Sequence, residues 1–213
     1  MRLHQTLLGA TAALALLPGS ALAATITGGP NSERLRGTNA ADTITGNGGY
    51  DRLFGRAGDD VLTGGAVRDR IFAGPGNDQL FGGDGRDSLW GAGGNDTMDG
   101  GPGNDWMAGG PGDDVESGGA GNDHIYANLG QDTIAGGEGN DVLWAVARGD
   151  VHPGADGAVD EVGDTLDGGE GNDVIHARDG EVDRVTCGPG DDTAFLDQVD
   201  VIADATADNP NGS

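Results

Sequence analysis

Gly82-Gly83-Asp84-Gly85-Arg86-Asp87-Ser88-Leu89-Trp90 holds, in nine residues, the pattern on which the fold turns. Three glycines lead to an aspartate, and one aliphatic side chain sits in the middle of the three residues that close the unit. Glycines at the first, second and fourth places permit positive φ and a tight turn that other residues would strain. The closing triplet reads as a short extended stretch whose middle residue points inward while its neighbours point outward. One unit is therefore a turn followed by a short strand.

The same window aligns the chain without a gap from Gly28 to Trp144, which is 117 residues or 13 units. The sixth place reads Glu33, then Asp42, Asp51, Asp60, Asp69, Asp78, Asp87, Asp96, Asp105, Asp114, Asp123, Asp132 and Asp141. The eighth place is apolar throughout, from Leu35 and Ile44 to Ile134 and Leu143, with Glu116 as the single exception. The first place is Gly in all units except those opening at Ala73 and Ala127. Self-similarity at a fixed short period is the mark of a repeat architecture.

These residues match the nonapeptide G-G-x-G-x-D-x-U-x, and the chain resembles the RTX, or haemolysin-type calcium-binding repeat, family. The resemblance implies an all-β fold, a right-handed parallel β-roll, in which two units form one coil and two parallel sheets sandwich the eighth-place residues. Seven units, the first opening at Gly28, would stack in one row and six in the other. It also implies several bound Ca²⁺ ions. The metal-ligand candidates are the twelve aspartates from Asp42 to Asp141, with Asp164 and Asp173 in a continuation of the pattern.

Elementary electrostatics leads to the same cation. Stacked carboxylates at strand spacing repel one another unless a cation lies between them. Ca²⁺ accepts six to eight oxygens in flexible geometry, whereas Mg²⁺ demands a tighter octahedron. Zinc and softer metals lack ligands, because His4, His124, His152 and His176 are dispersed and Cys187 is the only cysteine. With one aliphatic side chain per unit, the apolar core is too thin to hold the fold alone, so folding and ion binding are expected as one event.

Composition narrows the functions further. Of 213 residues 44 are Gly, and 36 acidic residues against 11 basic ones give a net charge of −25. Such a charge leaves nothing for nucleic-acid phosphates or an anionic membrane to grip. All eleven cations are Arg and none is Lys, which reads as a compositional effect without functional weight. Fragments of phosphate-loop patterns, as between Gly46 and Gly55, lack the lysine and the strand-to-helix context that nucleotide binding requires.

Residues 1–23 read as a secretory signal peptide: Arg2 precedes the apolar run Leu7–Leu17, and Ala21-Leu22-Ala23 supplies the small residues of a cleavage site. The expected product is secreted or held at the cell surface, with no membrane span. The roll then occupies residues 24–144, an insertion loop 145–163, a degenerate continuation 164–195 and a polar, frayed tail 196–213. Cys187 reads as a buried structural thiol.

The sequence points away from an enzyme. Neither H-E-x-x-H nor G-x-S-x-G occurs, and little chain lies outside the repeats. The one local cluster worth testing for catalysis is Asp150, His152 and Asp156 in the insertion, with a solvated loop as the plainer account. A last feature is the ninth place of the row opening at Gly28, which carries Phe54, Phe72, Trp90, Tyr126 and Trp144, while Trp106 flanks the gap at Ala108. These six residues are expected on the outer face of one sheet. They either stack on one another or are covered by residues 145–213, or they form an interaction face for self-association or for the sugar rings of a glycan.

Overall fold

The computed structural model describes residues 22–145, 163–178, 182–198 and 200–203. Strands alternate between two all-parallel sheets: a ten-stranded one running from Thr25–Thr27 to Val201–Ile202, and a nine-stranded one from Arg34–Arg36 to Thr193–Leu196. Each strand pairs with the strand one coil away, as in Leu35↔Leu53 of the nine-stranded sheet and Ile44↔Leu62 of the ten-stranded one. From Thr25 to Trp144 each coil therefore takes 18 residues, two units of nine.

The stacking continues across the insertion. Thr133 pairs with Thr165 and Val142 with Val174, so these coils are 32 residues apart in sequence yet adjacent in space. Residues 146–162, which hold most of the insertion together with Asp150, His152 and Asp156, lie outside the described residues, as do 1–21 of the expected signal peptide. The pairing also runs past residue 195. Leu196 ends a strand and Val201–Ile202 pairs with Arg184–Val185, so the tail expected from 196 adds a strand to the ten-stranded sheet. Here the inward apolar position is kept by Ile202, which the spacing of nine alone does not reveal.

The core is a double row of eighth-place side chains, fully buried from Ile44 through Leu143 and on to Leu166, Ile175 and Val185. Most strands run to six residues, as in Ser88–Gly93, because pairing continues through the first three places of the next unit. This corrects the expectation of a three-residue strand. It also changes the account of the first-place glycine. Gly82 does not have positive φ; its backbone is in the strand, and a Cβ there would fall on the Gly100 carbonyl oxygen and lie 2.7 Å from Asp87 Oδ2. Space, and not φ, favours glycine there, although Ala73 and Ala127 fit a Cβ into the same place of their units. Positive φ belongs to the second and fourth places, as at Gly83 (+97°) and Gly85 (+143°). Cys187 occupies a first place and is fully buried in the core. No helix among the described residues is long and apolar enough to cross a membrane.

Candidate metal centre

The sixth-place aspartates point inward at the ends of the strands, where they form two columns parallel to the core. All fourteen predicted ligand residues, Asp42 to Asp141 together with Asp164 and Asp173, are buried. Backbone hydrogen bonds hold them in place. The N–H of Asp69 donates to Asp87 Oδ1 at 2.6 Å, and that of Asp87 donates to Asp105 Oδ1 at 2.7 Å. The same bond crosses the insertion, from Asp132 N–H to Asp164 Oδ1 at 2.7 Å and from Asp141 N–H to Asp173 Oδ1 at 2.8 Å.

The second oxygen has a different situation. Oδ2 is buried without a hydrogen-bond partner in every sixth-place aspartate from Asp51 to Asp141, and in Asp173. Burial therefore raises these carboxyls: Asp60 and Asp105 to about 6, Asp78 and Asp87 to about 7, and Asp114 to about 8. Desolvation is the largest cause, the backbone N–H opposes it, and for Asp78, Asp87 and Asp114 the aspartates one coil to either side add repulsion.

Carboxylate Oδ2 atoms held in a column, buried and without a hydrogen-bond donor, fit a hard cation. Turn carbonyls lie beside them: a Cβ at Gly103 would fall on the Gly85 carbonyl oxygen and lie 3.2 Å from Asp105 Oδ1. Among the described residues no three His, Cys, Asp or Glu side chains come together as a metal-binding group. An ion here would thus be held by sixth-place carboxylates together with backbone carbonyls, an all-oxygen set suited to Ca²⁺.

A pH dependence follows for the metal-free chain. Because the folded carboxyls lie above their ordinary value of 3.8, their contribution to stability is fully present below that value and is lost as pH rises through about 6 to 8. In chelator, circular dichroism is expected to show β structure favoured by acid and lost across this window; a β signal that strengthens with rising pH would contradict it.

A family model for the RTX calcium-binding nonapeptide repeat, four copies long, matches residues 27–62, 36–71, 63–98, 72–107, 81–116, 108–143 and 161–194. The chain belongs to the RTX calcium-binding nonapeptide repeat family. RTX repeats bind Ca²⁺, and the matched segments contain every sixth-place aspartate named above. No curated protein matches the chain.

The aromatic residues lie on the outer face of the nine-stranded RTX sheet, half-buried. Phe54, Phe72 and Trp90 stack with centroids 5.2 and 4.3 Å apart, Trp106 tilts across the gap at Ala108, and Tyr126 and Trp144 continue the ladder. His176 and Phe195 extend it rather than cover it, at 3.7 and 4.8 Å. Those two escape a reading by nines because the insertion displaces them. Arg34, Arg52 and Arg70, which composition alone does not single out, occupy the seventh place of successive coils and pair in register. Their spacing of 18 was the available signal.

Proposed function

We propose that this RTX chain is an exported, non-enzymatic protein that folds when it meets calcium outside the cell and then serves a structural or surface-interaction role. The observation that carries the reading is the column of buried aspartate Oδ2 atoms without partners. A metal-free roll must bury these groups against desolvation and mutual repulsion, and a bound cation removes both penalties. Extracellular calcium modules work at dissociation constants of ~10⁻⁴ to 10⁻³ M, which keeps a chain unfolded before export and folds it afterwards. The leader-like residues 1–23 and the absence of hydrolase motifs from the sequence support export and a non-enzymatic role.

The alternative of a glycan module that stacks sugars on flat ring faces is less well supported, because neighbouring rings occupy those faces: Phe72 and Trp90 are within 2° of parallel. Limited proteolysis of the exported chain tests the proposal. The mature chain is expected to begin at Ala24, to be cut throughout in chelator and to resist cleavage in millimolar calcium. Equal resistance in both conditions would contradict calcium-gated folding, and an uncleaved leader would contradict export by that route.

A further inference from the structure

The two outer faces differ in charge. Among the described residues, the nine-stranded sheet contains no Asp or Glu in any strand, in a chain with 36 of them. The ten-stranded sheet exposes Asp84, Asp99, Glu138, Asp167 and Glu170, and its strands carry one cation, Arg184. We propose that the outer face of the nine-stranded sheet binds an extended acidic polysaccharide lying along the solenoid axis, a proposal that rests on the surface-interaction reading above.

The cationic end of this face is ordered. Arg34, Arg52 and Arg70 form a column across three adjacent strands, so like charges recur at the strand spacing of ~4.8 Å. The guanidinium groups of Arg34 and Arg36 lie 4.8 and 5.5 Å from the Phe54 ring centroid, where the aromatic ladder begins. A polymer with carboxylates or sulfates at intervals supplies the anions that the strands around the column lack among the described residues. The ladder favours the same partner. Its ring faces are turned to one another, leaving edges outward, and an aromatic edge carries the positive part of the ring quadrupole. Beside Ala108, a hollow of about 390 Å³ between Trp90 and Leu129 offers room for a sugar ring.

The net charge of −25 opposes polyanions over the molecule as a whole, and the arginine column on strands without Asp or Glu makes this face the local exception. A second copy docking through this same face would bring no acidic side chain from its strands to the arginines, whereas an anionic polymer pairs with them directly. The ~40 Å run of nine strands suits an extended chain.

The test uses the calcium-loaded full chain on immobilised chondroitin sulfate, with neutral dextran as comparison. Retention is expected on chondroitin sulfate alone, weakening as salt is raised. The variant Arg34→Gln, Arg52→Gln, Arg70→Gln should bind at least about tenfold more weakly while keeping its calcium-induced β signal, and Arg184→Gln on the opposite sheet should bind as the parent does. Undiminished binding by the triple variant, or equal retention on dextran, overturns the proposal. If nothing is retained but the chain self-associates through Trp90, the surface-interaction reading stands and this proposal fails. If it binds only anionic vesicles, the face takes lipid headgroups and the proposal likewise fails. If it neither binds nor associates, both readings fail.

Discussion

Glu116→Leu is expected to stabilise the calcium-loaded roll by about 3 to 5 kcal/mol, combining burial of a leucine with relief of a buried carboxyl that lacks well-formed hydrogen bonds. Glu116 occupies an eighth place, between Met98 and Ile134 in register, and is 1% exposed. Neither carboxyl oxygen makes a well-formed hydrogen bond. Desolvation pushes its pKa well above 4.5, Asp132 and Asp114 add to the rise, and the Gly109 backbone offsets it only in part. The parent therefore loses a contribution to stability as pH rises through this elevated value, and the variant has no such group to titrate. Denaturant unfolding in saturating calcium measures the difference. Equal or lower stability of the variant would show that the carboxyl is satisfied in a way the structure does not contain.

Asp87→Asn should have opposite effects with and without calcium. The asparagine carbonyl can still accept the 2.6 Å hydrogen bond from the Asp69 N–H, so the coil-to-coil contact is kept. The carboxyl whose pKa burial raises to about 7 is gone, and with it the repulsion from Asp105 and Asp69. In chelator at neutral pH the variant should thus form β structure more readily than the parent. In calcium it should bind fewer ions and need more calcium to fold, because one anionic oxygen donor is lost. Asp87→Ala removes the acceptor as well, leaving a buried N–H unsatisfied at about 1 to 3 kcal/mol, and should be worse in both conditions. Circular dichroism with calcium titration separates the three proteins. If Asp87→Asn matched the parent in both conditions, the column would have no role in calcium binding.

The sheet pairing and the core were legible because a solenoid repeats its inward positions. Ile71 and Leu89 fall 18 residues apart and meet in register, and both are fully buried. The aspartate columns were legible for the same reason. The function of the first-place glycine was not, because the crowding at Gly82 arises from the Gly100 carbonyl of the next coil. His176 and Phe195 were hidden behind an insertion whose residues change the spacing without changing the stack. The arginine column needed the coil period of 18, whereas a period of nine interleaves Arg34 and Arg52 with Thr43 of the other sheet. The acid-free face is a property of alternate units and vanishes in any average over the chain.

Calcium binding and circular dichroism followed in one titration of the metal-free chain at neutral pH test the central claim most directly. The account predicts little β structure in chelator, then a cooperative rise in which the β signal and several bound calcium ions appear together. A chain with its full β signal in chelator, or one that takes up calcium without gaining structure, would contradict it.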